Sequence, residues 1–145
     1  MKPTLITVIA LALSLNLMAQ ESISLNPKIY TTNNIISALP PNIDGVLEDS
    51  VWDSVEWGGN FIELYPDENT PPSVQTKFKI VYDQKHLYIA LKAFDPAPET
   101  ITDRLSRRDV LVGDRINILI DSYHDLRTAF LFTVTAAGVR GDEII

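Results

Sequence analysis

The sequence predicts an all-β domain folded as an antiparallel β-sandwich, and three observations support this fold class. Apolar and polar residues alternate over several short stretches, which is the period of half-buried strands. Turn-forming residues separate these stretches, and one short segment after residue 42 has helical spacing. The 145 residues include no cysteine, so a hydrophobic core must stabilise the fold without disulfides.

The N-terminus has the pattern of a secretory signal peptide. Lys2 gives a short positive region, Leu5–Leu17 is an apolar run too short to span a membrane comfortably, and Ala19 offers a cleavage site before Gln20. Residues 1–19 are therefore predicted to be removed on export to the periplasm, the outer membrane or the extracellular space. A retained N-terminal anchor is the alternative, and the lack of cysteine excludes a lipoprotein.

Charge and length narrow the function classes further. The formal net charge is −7, and cleavage would remove Lys2, which changes it to −8. An acidic protein repels phosphate backbones, so nucleic acid is excluded as a partner. The part that would remain is long enough for one β-domain but not for two.

The first elements follow from turn signals and spacing. Residues 20–42 are polar and are predicted to be an N-terminal segment or linker, with Ile35–Leu39 as one short edge strand. Residues 43–145 form the predicted domain, which opens with the turn Ile43-Asp44-Gly45. Leu47–Val55 then carries apolar residues at 47, 51, 52 and 55, which predicts a short helix with one buried face.

The rest of the domain is predicted to consist of strands. In Val74–Tyr82 the even-numbered residues are apolar or aromatic, with one threonine, and are predicted to face the core, which leaves Lys77 and Lys79 on a solvent-facing side. Asp83-Gln84-Lys85 turns this strand back into Leu87–Ala93, and the prolines after Asp95 end the hairpin. The other predicted strands are Phe61–Tyr65, Ile116–Ile120, Ala129–Val134 and Val139–Ile145. The last of these stops abruptly, so the sequence is expected to be a fragment of a longer protein.

Several ordered motifs resemble carbohydrate-binding module family 9-like domains. Residues 43–52, IDGVLEDSVW, are similar to the opening signature of that family. Tyr82-Asp83 with Leu87-Tyr88-Ile89 resembles its hairpin, and Phe94-Asp95-Pro96 its strand end. Further motifs are similar to one branch, in which the module heads a larger exported protein with an uncharacterised C-terminal domain associated with the outer membrane: Leu105–Asp109, Asp114-Arg115 and Asp121-Ser122-Tyr123.

The resemblance covers roughly Ile35–Ile145 and implies a jelly-roll sandwich that binds sugars and often carries calcium. The predicted function is therefore carbohydrate binding by a non-catalytic module of an exported protein linked to polysaccharide use. Two alternatives remain open. One is a structural or docking domain of an outer-membrane-associated protein, and the other is an accessory part of a glycoside hydrolase. In the best-understood members of the family, a sugar is held between two tryptophans. Trp52 and Trp57 are the only tryptophans of this chain.

Candidate sugar-binding residues are exposed aromatic side chains and a charged loop. Trp52 lies on the apolar face of the predicted helix and is assigned to the core, whereas Trp57 precedes two glycines and is predicted to be exposed. Aromatic rings stack on the C–H face of a pyranose, so the stacking candidates are Trp57, Tyr65 and Tyr123. Arginine forks suit adjacent hydroxyl groups. The loop candidates are Arg107, Arg108 and Asp109, whose alternative role is pairing with Asp103, Asp114 or Asp121.

Metal and catalytic chemistry have a weaker basis in the sequence. Calcium prefers carboxylate and carbonyl oxygens, and Asp95, Asp114 and Asp121 are the predicted ligands, with turn formation as their alternative role. Glycan is the predicted ligand of the domain. No Gly-x-Ser-x-Gly or His-Glu-x-x-His motif is present, so no catalytic residue is assigned. Both methionines lie in the predicted signal peptide, and no haem is expected.

Overall fold

The computed structural model describes residues 28–36 and 39–145, and the predicted signal peptide lies outside them. The described elements belong to one compact unit, Thr32–Ile145. The strands are β1 Asn33–Asn34, β2 Thr76–Tyr82, β3 Leu87–Ala93, β4 Arg115–Ile120, β5 Phe130–Thr135 and β6 Arg140–Ile144, with two 3₁₀ helices at Ser50–Ser54 and Pro98–Thr100. The described chain is thus built from strands, as predicted, and none of its helices is long and apolar enough to cross a membrane.

The strands form two three-stranded sheets, β1-β2-β3 and β4-β5-β6. In the first sheet, β2 pairs antiparallel with β3, which confirms the predicted hairpin, and β1 pairs parallel with the end of β2. The edge strand is Asn33–Asn34 and not the predicted Ile35–Leu39, of which residues 37 and 38 lie outside the described ranges. Ile35 follows β1, is buried, and donates its N–H to the carbonyl of Tyr82 at 2.8 Å.

The predicted helix is present in a shorter form. Ser50–Ser54 is a single 3₁₀ segment in the middle of the predicted Leu47–Val55 range. It buries Val51 and Trp52, and Val55 is buried directly after it, which confirms three of the four predicted apolar positions; Leu47 lies before the helix and is exposed. These side chains form the core of the first sheet together with Ile35, Val81 and Ala90, and Tyr88 packs against them.

The 3₁₀ helix covers the face of β2 that was predicted to lie in solvent, while Phe78 and Ile80 of the predicted core face are half-buried. Val81 is fully buried and Lys79 is 8% exposed, whereas Tyr82, assigned to the core, is exposed. Polar and apolar residues do alternate along β2, but the 3₁₀ helix packs on the odd-numbered face, and the sequence pattern does not indicate this contact. The prediction that Lys79 faces solvent was therefore wrong. The neighbouring Lys77 is exposed, as predicted.

The second sheet is an antiparallel meander in which β5 lies between β4 and β6. The segment 101–114 borders one of its faces: Leu111 lies against Gly141 of β6, and the neighbouring Thr133 is buried. The Thr133 hydroxyl donates to Asn117 Oδ1 at 2.9 Å, which satisfies both polar groups. The other face carries apolar side chains from β4 and β5, and on β6 it carries Arg140, Asp142 and Ile144; its residues on β4 and β5 are Ile116, Ile118, Ile120, Phe130, Phe132 and Val134.

The predicted strand Phe61–Tyr65 is absent from the structure, which has a loop there. The chain folds back on itself, because the N–H of Glu63 donates to the carbonyl of Thr70 and the N–H of Asn69 donates to the carbonyl of Glu63. Asn69 adopts a φ of 64°, a left-handed conformation that asparagine tolerates better than most residues. The local turn takes the backbone groups that a sheet ladder would need, so propensity alone was misleading.

Candidate functional site

Trp57 lies beside β2 and is 39% exposed, which confirms its predicted exposure. The predicted reason was the pair of glycines that follows Trp57, but Gly58 is held by hydrogen bonds to β2. Gly58 and Phe78 form an isolated antiparallel bridge, with N–H to carbonyl distances of 2.8 and 3.0 Å. A Cβ at Gly58 would lie 2.6 Å from Cε1 of the Phe78 ring, so only glycine permits this approach. The indole is therefore carried on a well-supported backbone.

Lys79 lies directly beside Trp57, and sequence reasoning missed it as a site residue. Its Nζ is 5.0 Å from the centroid of the Trp57 ring and donates to the carbonyl of Trp52 at 2.6 Å. A lysine ammonium has three N–H donors, and this hydrogen bond uses one of them. A charge that is largely removed from water needs compensation, which here comes from one carbonyl and one aromatic face.

The same face of the sheet continues with two more lysines and a phenylalanine. Lys77 and Lys92 are directly opposite each other on β2 and β3. Their ammonium groups lie 5.9 and 5.2 Å from the centroid of Phe94, which is 41% exposed. Within the described ranges, none of the three lysines forms an ion pair with a carboxylate. We call this group the cationic half-face: Trp57, Lys77, Lys79, Lys92 and Phe94.

The predicted charged loop lies against β6 of the second sheet. Arg108 pairs with Asp142 and its Nε is 3.6 Å from Asp109 Oδ2, while the N–H of Asp109 donates to the carbonyl of Arg140 at 3.2 Å. Arg108 is thus engaged by carboxylates, although not by the predicted Asp103, Asp114 or Asp121. Asp142 was missed because it lies 34 residues away along the chain. The Arg107 guanidinium has neither an ion pair nor a hydrogen bond within the described part of the chain.

Two shallow depressions flank this loop, with volumes of about 280 and 170 Å³. Both are below the usual range for small-molecule sites, about 300–1,000 Å³. A wider one of about 710 Å³ lies between β1 and the first 3₁₀ helix. Its asparagines are already used by the protein: Asn33 donates to the carbonyl of Ser54, and Asn34 Oδ1 accepts the N–H of Ile36.

The two tyrosine candidates are well exposed but separate. Tyr65 lies in the loop before β2 and is 87% exposed, and Tyr123 lies in the β4–β5 loop and is 70% exposed. No hydrogen bond, ion pair or ring contact among the described residues joins either of them, or Trp57, to the segment Arg107–Asp109. The predicted aromatic and charged candidates therefore occur on different segments.

The three predicted calcium ligands each accept a backbone N–H, Asp95 and Asp121 from residues of their own turns and Asp114 from a residue twelve positions earlier. Asp95 accepts from Ala97 at 2.8 Å and Asp114 from Thr102 at 2.8 Å. Asp121 accepts from Leu126 at 2.9 Å and from Asp125 at 3.2 Å, and the Leu126 N–H is the main cause that lowers the pKa of Asp121. In the part of the chain that the structure describes, no three histidine or acidic side chains gather as a metal site would require. Calcium stays a prediction.

A polar cluster organises the turn between β2 and β3. Asp83 Oδ1 accepts the N–H groups of Lys85 and His86, each at 2.7 Å, and Asp83 Oδ2 accepts the Tyr88 hydroxyl at 2.9 Å. The Lys85 N–H, with the His86 N–H and the Tyr88 hydroxyl, holds the pKa of Asp83 well below its usual range. Loss of hydration raises the pKa of Tyr88, and its bond to Asp83 raises it further. Asp83, which belongs to the predicted hairpin motif, thus stabilises the turn between β2 and β3.

Replacing Asp83 by asparagine is expected to destabilise the protein most at neutral pH. Because the pKa of Asp83 is lower in the folded state than its unfolded value of about 3.9, ionised Asp83 stabilises the fold above that value, and the benefit disappears as the pH falls through the folded pKa. Urea unfolding of the wild type and Asp83→Asn should therefore show a difference that shrinks in acid. Tyr88→Phe, which removes only the hydrogen bond from the Tyr88 hydroxyl, should give a smaller difference. A constant difference across pH would contradict this account.

Comparison with known proteins found no match to this chain among protein-family models, curated proteins or solved structures. Its function therefore has to be argued from its own residues and their contacts.

Proposed function

We propose that Thr32–Ile145 is a non-catalytic carbohydrate-binding module of an exported protein, and that it binds glycan on the cationic half-face with Trp57 as the stacking platform. The observation that carries the proposal is the partly exposed indole of Trp57, held beside the ammonium of Lys79 by the Gly58–Phe78 bridge. The sequence resemblance to carbohydrate-binding module family 9-like domains favours the same function.

The contacts around Trp57 suit sugar recognition for two reasons. An indole presents a flat apolar face, which packs on the C–H side of a pyranose and excludes water there. The remaining N–H donors of Lys79 can reach ring hydroxyl groups beside that face, since one carbonyl occupies the first. Because the Gly58–Phe78 bridge ties the segment of Trp57 to β2, little ordering is needed on binding, which favours affinity.

We also propose that the two sheets stack as a β-sandwich through their apolar faces. In the first sheet, the face opposite the 3₁₀ helix carries Phe78, Ile80, Ile89 and Leu91. In the second sheet, the apolar face carries the three isoleucines of β4 and the phenylalanines of β5. Two faces of this kind need a common apolar layer, and a sandwich supplies it.

Replacing Trp57 by alanine is expected to reduce glycan affinity by at least about tenfold, because the stacking face is lost. We would titrate the wild type with a panel of neutral and acidic oligosaccharides by calorimetry. Tyr65→Ala removes an aromatic ring that is even more exposed and serves as the matched control. It should bind like the wild type.

A second comparison separates the two candidate surfaces. If the double variant Arg107→Ala, Arg108→Ala loses affinity while Trp57→Ala keeps it, the glycan binds at the charged loop and not at the cationic half-face. If the folded wild type binds no member of the panel, the sugar-binding proposal is wrong and a structural or docking role is favoured. Melting curves of each variant verify that a lost affinity does not reflect unfolding.

A further inference from the structure

We infer that the cationic half-face selects anionic glycans, with carboxylate or sulfate groups along an oligosaccharide, over neutral ones. This inference deepens the proposed function and rests on it. It is carried by the positions of Lys77, Lys79 and Lys92 between two exposed aromatic rings, a set that the sequence motifs do not include.

The lysines of this face are arranged unfavourably for folding alone. Lys77 and Lys92 are a directly opposed cross-strand pair, and like charges at such positions repel each other. They converge on the ring of Phe94, which attracts both ammonium groups but neutralises neither. The chain has 19 acidic and 12 basic residues, yet within the described ranges no carboxylate forms an ion pair with these lysines. An anionic ligand would relieve this repulsion.

Lys79 gives an independent indication of a ligand. Lys79 is only 8% exposed, and among the described residues its ammonium makes one hydrogen bond, to the carbonyl of Trp52. Two N–H donors of a charged group remain beside the Trp57 ring. Such donors are strongest toward an anionic acceptor, because charge-assisted hydrogen bonds exceed neutral ones.

The acid next to Phe94 is engaged within its own turn. Asp95 follows Phe94, and its carboxylate accepts the N–H of Ala97 in a turn. Within the described ranges, the Asp95 carboxylate therefore forms no ion pair with Lys77, Lys79 or Lys92.

The dimensions of the face fit several sugar rings. The Gly58–Phe78 bridge places Trp57 opposite Lys79, and the N–H of Phe94 donates to the carbonyl of Gln75. The two aromatic residues are thus four residues apart along the strands, about 13 Å, and two strand spacings apart across them, about 10 Å. Gly59 has no side chain where it approaches Lys77, which leaves space between the rings. This geometry suits an oligosaccharide that lies across the sheet, with its acid groups at the lysines.

The test compares an acidic oligosaccharide with its neutral methyl ester and with a sulfated oligosaccharide. We would measure binding of trigalacturonate, its methyl ester and a sulfated oligosaccharide to the wild type, the double variant Lys77→Gln, Lys92→Gln and the control Lys85→Gln. Lys85 lies in the β2–β3 turn, so its replacement removes a positive charge away from the half-face. We expect the acid to bind and the ester to bind at least about tenfold more weakly. The double variant should lose a similar factor, whereas Lys85→Gln should not, and the affinity should fall as salt is raised.

Each outcome decides one of the two claims. If the ester binds as well as the acid, sugar binding stands but selection of anionic glycans is overturned. If no ligand binds, the proposed function is overturned with it. Equal binding by the wild type and the double variant, or equal loss in Lys85→Gln, overturns the cationic half-face as the site. Binding of the sulfated ligand alone, lost in the double variant, supports the site and identifies sulfate as the anion. The variants should fold, because removing the opposed charges relieves repulsion.

Discussion

Replacing Trp52 by alanine is expected to lower the free energy of unfolding by about 3–5 kcal/mol, which is a large part of the 5–15 kcal/mol typical of a domain. Trp52 is 4% exposed and packs in the core that joins the 3₁₀ helix to β2 and β3. Its removal leaves a cavity above Val81 and Ala90. The carbonyl of Trp52 also holds Lys79, so movement of this helix would disturb the cationic half-face. Chemical denaturation of both proteins measures the loss.

Trp52→Phe is the matched control for this prediction. The indole N–H of Trp52 is buried and has no acceptor among the described residues, so phenylalanine loses no hydrogen bond and removes an unsatisfied donor. We expect a smaller loss of about 1–2 kcal/mol from the reduced volume. If Trp52→Phe were as destabilising as Trp52→Ala, the N–H would have to be making a bond that this structure lacks.

Gly113→Ala is expected to destabilise the protein by about 2–4 kcal/mol, because two separate penalties add. Gly113 has a φ of +82°, a conformation that residues with a Cβ rarely adopt. A Cβ there would also collide with the backbone oxygen of Thr102 and lie 2.8 Å from its Cγ2. Thr102 cannot easily retreat, since its N–H donates to Asp114 Oδ2 at 2.8 Å. The segment 101–114 would be displaced from the second sheet.

Gly138→Ala separates the two penalties. Gly138 has a similar φ of +77°, but a Cβ there would meet no atom within 4 Å. Its replacement should therefore show only the conformational cost, about 1–2 kcal/mol. Thermal or urea unfolding of the two variants gives the difference directly. Equal destabilisation would mean that Thr102 yields without cost and that the segment is looser than its contacts indicate.

The parts of the fold that were predictable from sequence are those decided locally. The β2–β3 hairpin and the strands around Ile118, Leu131 and Glu143 follow from alternation and turn residues, which act over a few positions. The 3₁₀ segment was placed correctly by its apolar spacing. Phe61–Tyr65 failed because a hydrogen-bonded turn with Asn69 and Thr70 captured its backbone, a preference that strand propensity does not include.

The parts of the fold that were not predictable depend on contacts between residues that are distant in the sequence. The 3₁₀ helix that covers the odd-numbered face of β2 lies more than twenty residues earlier in the chain, about the separation between Trp52 and Lys79. The sequence pattern of β2 does not indicate this contact, which buries Lys79 on the same face as Lys77 and Lys92. The pairing of Arg108 with Asp142 has the same origin, because strand order and not sequence distance brought them together.

The contrast between the two indoles gives the native protein two distinct optical reporters. Trp52 and Trp57 are the only tryptophans of the chain, one enclosed in the core and the other open to water next to an ammonium group. Fluorescence of the first follows cooperative unfolding, whereas a soluble quencher reaches mainly the second. A ligand that covers the sheet would shield Trp57 and leave the emission of Trp52 unchanged, so occupancy and folding can be followed in one cuvette without a label.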